Sequence, residues 1–159
     1  MGSGMQDIEI AFQDQLQKNH CFGCGADNDQ GLKIKSYWAD DGTAVCRFTA
    51  KPHHCAGPTR YLNGGIMATL LDCHSICSAI ALAYRTEGRA ISEGESIAFV
   101  TGSMDIAYKQ PVPIDSPVLL KAELESLSPR KTRVVCRLFS EDNLCAQADV
   151  LAVRVPDNW

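Results

Sequence analysis

The chain has 159 residues, enough for one domain with a substantial hydrophobic core. Its formal net charge is −4 and it contains no run of basic residues, which argues against a nucleic-acid-binding surface. The first twenty residues include three acidic residues and no apolar stretch, so we expect no signal peptide and a cytoplasmic protein. Residues 1–4 have the character of an expression-tag remnant before Met5, which leaves 5–159 as a single domain.

The eight cysteines raise two alternatives, disulfides and a metal site. Without a secretory signal, we expect most of the thiols to be reduced. Cys21 and Cys24 have the C-x-x-C spacing of zinc ligands, and other candidate ligands are available: His20, His53, His54 and Cys55. A single C-x-x-C without a second pair is a weak signal. Four other cysteines fall at apolar positions, where a thiol behaves as a small hydrophobe: Cys46, Cys77, Cys136 and Cys145. We therefore expect no bound metal.

The first elements in chain order are a short helix and a hairpin. Residues 7–17 carry apolar side chains at four-residue spacing, which predicts an amphipathic helix over a sheet edge or a mouth of the fold: Ile8, Phe12 and Leu16. Alternation over 32–38 and 44–49, on either side of an Asp-Asp-Gly turn, predicts a hairpin with one half-buried face. Residues 51–63 then form a loop that we expect to line a pocket, with Gly57 as a substrate-binding candidate.

The central element is the apolar stretch from Gly64 to Tyr84, in which Asp72 is the only certain charge. A helix that is apolar on all sides is predicted to be buried. Its length of about 31 Å would also span a membrane. However, Asp72 and His74 lie near its middle, and its flanks lack an aromatic or basic belt, so we expect no membrane span. His74 lies about 200° around the helix from Asp72, which predicts a core or dimer-contact histidine.

A carboxylate in a buried helix requires an explanation. Either Asp72 is satisfied by a neighbouring loop or by water at an edge, or its burial prepares it for general-base chemistry. The two glycines that open the helix, Gly64 and Gly65, offer unpaired N–H groups that an oxygen atom of a ligand can approach closely. One helix therefore supplies a candidate oxyanion site and a candidate base.

Strand patterns return after residue 96. Two alternating sets that fall out of phase at Gly102 predict one strand with a bulge: Ile97, Phe99 and Thr101, then Met104, Ile106 and Tyr108. Further strands are predicted around 118–124, 134–138 and 144–155, the last with an inner face of Leu151, Val153 and Val155. About six antiparallel strands and one long helix predict an α+β fold in which a curved sheet wraps the helix. Because one sheet cannot cover every face of the helix, we expect a dimer that pairs two helices.

The stretch from Asn63-Gly64-Gly65 to Asp72 resembles the HGG-x(6)-D signature of hotdog-fold acyl-CoA thioesterases, in the phenylacetate-degradation and mammalian acyl-CoA thioesterase branch. The resemblance continues in 100–111 (VTGSMDIAYKQP) and begins earlier, at the CFGCG of 21–25. It covers about residues 20–155. It implies the hotdog fold, with a long central helix wrapped by a curved antiparallel sheet.

The resemblance also implies roles for site residues. Asp72 matches the general base or nucleophile, and Gly64 matches the residue whose N–H binds the thioester oxygen. Asn63 stands where the family usually has His; it can cap the helix or donate a hydrogen bond to a carbonyl, but it cannot be protonated. Thr101 matches a Ser or Thr that orients the attacking water or the carboxylate, unless it is simply a favourable strand residue. Substrate-binding candidates are Gly65 and, near the phosphates of coenzyme A, the basic pair Arg130 and Lys131.

The expected function is hydrolysis of an acyl-CoA thioester without a metal or organic cofactor. The alternative is a hotdog protein that binds an acyl thioester without turning it over, with Asn63 as the damaged position. A hotdog dehydratase is a weaker idea, because we find no matching active-site His and Glu. We expect a homodimer or homotetramer that has no nucleic-acid or membrane partner.

Overall fold

The structure is a computed structural model that describes residues 9–156 and 158–159. One long helix, α1 (Gly64–Thr86), packs against a six-stranded antiparallel sheet, so the predicted fold class is confirmed. The strands are β1 (Ser36–Trp38), β2 (Ala44–Phe48), β3 (Ala98–Tyr108), β4 (Val118–Ser128), β5 (Lys131–Ser140) and β6 (Asn143–Val155). Their order in the sheet is β1-β2-β4-β5-β6-β3. The sheet edges are therefore a three-residue strand, β1, and an eleven-residue strand, β3.

Helix α1 ends two residues beyond the predicted Tyr84, and its end is set by a glycine. Gly88 has a φ of +70°, in the left-handed region that closes many helices. The N–H of Gly88 donates to Arg85 O at 3.0 Å, and the N–H of Arg89 donates to Tyr84 O at 2.9 Å. These two bonds satisfy carbonyls that would otherwise lack partners, as in a Schellman motif.

The inner face of β6 is formed by small residues, and our prediction for this face is wrong. Fully buried positions alternate along the strand: Ala146, Ala148, Val150 and Ala152. The predicted inner residues Leu151, Val153 and Val155 are only partly buried, on the other phase. The physical reason is that alanine side chains let the backbone of α1 approach the sheet closely, whereas the larger Leu and Val side chains would hold it away.

The N-terminal segment differs from the predicted helix. Within the described residues it contains only a four-residue 3₁₀ helix, Phe12–Gln15. The remainder of the predicted start, including Ile8, and the tag-like residues 1–4 lie outside the described residues. Phe12 is buried, and its ring lies 5.1 Å from that of Trp38 in β1, so the predicted packing over a sheet edge is confirmed.

The first strand is also shorter than predicted. Residues 32–35 pair instead with the preceding loop: Leu32 N–H donates to Phe22 O at 2.7 Å, and Ile34 N–H donates to Gly23 O at 3.2 Å. Between them, Lys33 has a φ of +50°, which is incompatible with a regular strand.

The bulge predicted at Gly102 is confirmed. The register of β3 against β6 shifts between Thr101 and Ser103. A Cβ atom at position 102 would lie 2.7 Å from Val153 Cγ2, so this close crossing requires a glycine.

Helix α1 is long and apolar enough to cross a membrane by length and composition. In the structure, 61% of its most apolar window is buried inside the fold. Packing against the sheet therefore accounts for its hydrophobicity.

His74 is a core residue, which was one of the two predicted alternatives, a core histidine or a dimer contact. Its Nε2 lies 3.0 Å from Ala44 O, and its Nδ1 lies 2.7 Å from Ser36 Oγ. Because the carbonyl can only accept, Nε2 carries the proton, and Nδ1 accepts from the Ser36 hydroxyl. Gln13 completes the network by donating to Ser36 Oγ and accepting from Ser36 N–H, both at 2.8 Å. Complete burial lowers the pKa of His74 to about 4.

This buried histidine predicts a pH-dependent stability. The pKa of His74 is below the ordinary value of 6.5, so between pH 6.5 and 4 the unfolded chain binds a proton that the folded chain does not. The contribution of neutral His74 to the free energy of unfolding is complete above pH 6.5. As the pH falls towards 4, the free energy of unfolding decreases by about 3 kcal/mol. Urea unfolding across this range should show the loss in wild type and in His20→Gln, an exposed control, but not in His74→Gln. An equal pH dependence in all three proteins would contradict the assignment.

Candidate active site

The start of α1 is held in place by the preceding loop. Asn63 is the N-cap residue, and its Oδ1 accepts from Ile66 N–H at 3.1 Å, so the predicted capping role is confirmed. Its own N–H donates to His54 O at 2.9 Å. A Cβ atom on Gly65 would lie 2.9 Å from Asn63 Oδ1, so a glycine at position 65 gives the cap its space.

Gly64 presents its N–H at the first turn of the helix. No acceptor for this N–H lies within the part of the chain that the structure describes. The hydroxyl of Tyr108, at the end of β3, donates to Gly64 O at 2.8 Å and places its ring over the glycine. We call Asn63, Gly64 and Tyr108 the helix-start cluster; it can offer N–H donors to an oxyanion.

Asp72 lies two turns further along α1 and contacts Thr101. The Thr101 hydroxyl donates to Asp72 Oδ1 at 2.5 Å. Thr101 is exposed at the β3 bulge. The apolar sequence around Asp72 had suggested that this residue is enclosed in the core, but in the single chain it is half-buried. We call these two residues the carboxylate cluster; the structure thus brings together two of the predicted catalytic residues.

The two clusters occupy one side of the molecule, between α1 and the edge strand β3. Thr101 begins the bulge of β3 and Tyr108 ends the strand, so both clusters contain a β3 residue. Gly64 and Asp72 are eight residues apart, which separates them by about 12 Å along the helix axis. Sequence reasoning placed Tyr108 in the strand but assigned it no role. Only the packing of β3 against the helix start reveals its contact with Gly64.

A cavity of about 420 Å³ opens beside Asn63. It is lined by the loop residues His53, His54 and Cys55, with Phe22 and Ile66, so the predicted pocket-lining role of the 51–63 loop is confirmed. Burial, together with repulsion from His53 and Lys51, lowers the pKa of His54, which favours its neutral form. A larger cavity of about 490 Å³ lies at the other end of α1, between Phe12, Trp38 and Arg85, and is remote from both clusters.

The remaining substrate-binding candidates lie on the surface. Gly57 is exposed, with no atom within 4 Å of a Cβ built on it. Arg130 and Lys131 are exposed at the turn between β4 and β5. Lys131 in β5 pairs with Val153 in β6, and Val153 pairs with Val100 in β3, next to Thr101. Two strand spacings, about 10 Å, therefore separate the basic pair from the bulge.

A family model described as the thioesterase superfamily matches residues 60–146, more than half of the chain. The acyl-coenzyme A thioesterase THEM4 of Mus musculus is 30% identical over 151 residues, covering 94% of this chain and 60% of that protein. The chain spans about half to three fifths of the length of the mammalian relatives that it matches.

Solved structures show the same architecture. A thioesterase superfamily protein from Shewanella loihica PV-4 is 31% identical with a TM-score of 0.66, covering 87% of this chain and 96% of that chain. The E. coli PaaI protein from the phenylacetic acid degradation operon is 15% identical with a TM-score of 0.63, covering 79% of this chain and 81% of that chain. The latter is a likeness of fold alone. The chain thus belongs to the thioesterase superfamily, and its helix and sheet form the hotdog fold.

Proposed function

We propose that this protein hydrolyses an acyl-CoA thioester to a free acid and coenzyme A. The observation that carries the proposal is the pairing of Asp72 with Thr101 on the same side of α1 as the N–H of Gly64, which has no acceptor among the residues described. These are the parts that thioester hydrolysis needs, a base or nucleophile and an oxyanion donor. Membership of the thioesterase superfamily and relatives named acyl-coenzyme A thioesterase support the same reaction.

In the general-base form of this mechanism, the Asp72 carboxylate takes a proton from water as the oxygen attacks the thioester carbon. The carbonyl oxygen becomes an oxyanion that accepts from Gly64 N–H. Collapse of the intermediate breaks the carbon–sulfur bond, and the departing thiolate takes up a proton. In the nucleophilic form, Asp72 attacks the carbon directly, and water hydrolyses the resulting anhydride. In both forms the Thr101 hydroxyl orients the carboxylate.

The substrate contacts extend beyond the reacting atoms. Coenzyme A carries phosphates, and the exposed Arg130 and Lys131 can attract them without giving up an ion pair within the described chain. The glycines of the helix start and of the 51–63 loop, Gly65 and Gly57, leave room for the ligand to approach the backbone. No metal or organic cofactor takes part in this step.

We also propose that the protein is a homodimer with two shared sites. Five partly buried residues of α1 lie along one stripe of the helix, which we call the open stripe: Ala68, Asp72, Ile76, Ile80 and Ala83. Neighbouring β3 is a long edge strand whose one strand partner among residues 9–156 is β6, and such edges favour pairing with another chain. A two-fold axis at this face would bring the helix-start cluster of one chain to the carboxylate cluster of the other.

This shared arrangement answers a geometric problem. An oxyanion donor must lie about 3 Å from the carbonyl oxygen, and the base must reach the same carbon directly or through one water. An aspartate side chain is too short to close about 12 Å along its own helix. Two such dimers could associate further into a homotetramer. We place the protein in the cytoplasm, where its eight free thiols would remain reduced.

The alternative function is binding of an acyl thioester without turnover. The observation that favours it is that Asn63, in place of the usual His, uses its Oδ1 to cap the helix. Its remaining amide donor cannot supply a proton at working pH. Assay of the purified protein against a panel of acyl-CoAs distinguishes the two functions, since tight binding without thiol release supports the alternative.

Asp72→Asn tests the base with almost no change in shape. We expect kcat to fall by at least about a hundredfold, the scale of general-base catalysis, while circular dichroism shows a retained fold. Asp115→Asn, at an exposed position in the connection before β4, is the control and should keep wild-type turnover. Unchanged turnover in Asp72→Asn would remove Asp72 from the mechanism.

Asn63→His tests the cap and the catalytic role together. Because histidine is a poorer N-cap, the free energy of unfolding in urea should fall by about 1 kcal/mol. Asn63→Asp keeps a capping oxygen and should stay near wild type in stability. An unchanged stability in Asn63→His would contradict the cap; a rise in its turnover would identify Asn63 as a weakened catalytic group.

Mixing two inactive variants tests the shared site. Asp72→Ala removes the carboxylate, and Gly64→Pro removes the N–H at a first-turn position where proline is tolerated. The site can accept this ring, because a Cβ on Gly64 would lie 3.7 Å from Tyr108 and Asn63 already has extended backbone angles. After subunit exchange, each mixed dimer should hold one intact site, and activity should recover to about a quarter of wild type.

The controls for this experiment are the separate variants, which should stay inactive at the same total concentration. Native mass spectrometry should show that mixed dimers form, and circular dichroism should show that Gly64→Pro is folded. No recovery under these conditions would mean that each site is built within one chain.

A further inference from the structure

Four cysteine sulfurs gather where the N-terminal loop meets the middle of α1. Cys21 and Cys24 come from the loop, and Cys73 and Cys77 come from the helix. The Sγ atoms of Cys21 and Cys73 are 3.7 Å apart, and those of Cys21, Cys24 and Cys73 all lie within 4.8 Å of one another. Cys77 lies one helical turn beyond Cys73 on α1, and together with Cys73 it lowers the pKa of the Cys24 thiol. We call these four residues the thiol cluster.

The sequence builds this cluster from two local motifs. Cys73 and Cys77 are four residues apart on a helix and therefore lie on the same face. Cys21 and Cys24 are brought together by a tight turn in which Gly25 N–H donates to Cys21 O at 2.8 Å. The turn can approach the helix only because residue 23 is a glycine, since a Cβ atom there would lie 2.3 Å from Cys73 Sγ.

The spacing of the sulfurs matches the dimensions of a tetrahedral metal site. Zinc–sulfur bonds are about 2.3 Å long, so the sulfurs of a Zn–S₄ tetrahedron lie about 3.8 Å apart. The observed 3.7 Å between Cys21 and Cys73 is already at this value, and the other separations among Cys21, Cys24 and Cys73, all within 4.8 Å, need only a small contraction. Cys77, on the same face of α1 as Cys73, is the candidate for the fourth ligand. Closed sites of four cysteines are a common structural zinc site.

The surroundings also suit thiolate ligands. The side-chain amide of Asn19 donates to Cys24 Sγ at 3.6 Å. Hydrogen bonding with Cys73 and with the nearby backbone lowers the pKa of the Cys21 thiol to about 7. Such donors around the sulfurs orient metal ligands and stabilise their negative charge. Cys24, Cys73 and Cys77 are buried, whereas Cys21 is exposed and offers an entry path for an ion.

We propose that the thiol cluster binds one zinc ion through Cys21, Cys24, Cys73 and Cys77. Binding replaces four S–H bonds with four Zn–S bonds and releases four protons to solvent. The ion ties the N-terminal loop to α1 and leaves no open coordination position, so its role is structural. This site revises our expectation of no metal, which treated Cys77 as a small hydrophobe and found no second pair for Cys21 and Cys24. It is independent of the proposed hydrolysis.

The test uses the full chain, purified under a reducing agent without chelator. Elemental analysis should find one equivalent of zinc per chain. Protein stripped of metal should bind one equivalent of Co²⁺ with the intense visible bands and thiolate-to-cobalt charge transfer of a tetrahedral sulfur site, and Zn²⁺ should displace it. X-ray absorption of the zinc protein should show four sulfur ligands at about 2.3 Å.

Variants identify the ligands. Cys24→Ser and Cys77→Ala should each weaken Zn²⁺ binding by more than the tenfold to hundredfold that loss of an outer-shell partner costs. Cys55→Ser, outside the thiol cluster, and Cys136→Ala, in the apolar core where burial raises the pKa of the thiol to about 12, are the controls and should keep one equivalent. Circular dichroism of the metal-free proteins establishes that each variant folds; if one does not, the absorption data on the wild type decide the ligand set.

The proposal is overturned if fully reduced wild-type protein binds far less than one equivalent. It is also overturned if folded Cys24→Ser and Cys77→Ala keep wild-type affinity, or if the bound zinc has nitrogen or oxygen ligands in place of the four sulfurs. A Cys21–Cys73 disulfide whose reduction does not create a metal site would equally contradict it.

Discussion

The packing of α1 against the alanine-rich face of β6 is the constraint on which the rest of the structure depends. A helix that is apolar nearly all round has no stable place in water except inside a wrapped sheet. The small side chains of Ala146, Ala148 and Ala152 let the sheet close around it. One curved sheet still leaves the open stripe of α1 only partly covered, and Asp72 lies within that stripe. The position of the carboxylate that we propose as catalytic is therefore a consequence of how the core is packed.

The same packing divides the site in two. Edge strand β3 touches the helix at its start through Tyr108 and at its middle through Thr101, so each end of the strand orients one group of the proposed chemistry. The bulge at Gly102 lets the strand follow the helix while presenting Thr101 to Asp72. Neither half contains both a base and an oxyanion donor. In the mechanism we propose, the single chain has the chemical groups and a second copy brings them to one carbon atom.

The sequence predicted what depends on local pattern and missed what depends on packing. The start of α1 and the bulge follow from the Asn-Gly-Gly opening and from a change of strand phase, and both are confirmed. The prediction for the inner face of β6 was wrong because large apolar side chains are typical of core positions. In the structure, the close approach of the helix requires alanine at these positions. Tyr108 and the Cys73–Cys77 pair were missed for a related reason. Their partners lie far away in sequence, and at helical spacing two cysteines resemble ordinary core positions.

The N-terminal loop connects the thiol cluster to the cavity at the helix start. Phe22 lies between Cys21 and Cys24 and lines the cavity beside Asn63. Cys73 follows Asp72 and is rotated about 100° from it around the helix, so a metal ion there would leave the open stripe free for a second chain. An ion that holds both ends of the C-x-x-C turn would also fix the position of Phe22. Ordering a cavity wall before the ligand arrives lowers the entropic cost of binding. A structural metal in this place would therefore favour substrate binding without touching the substrate.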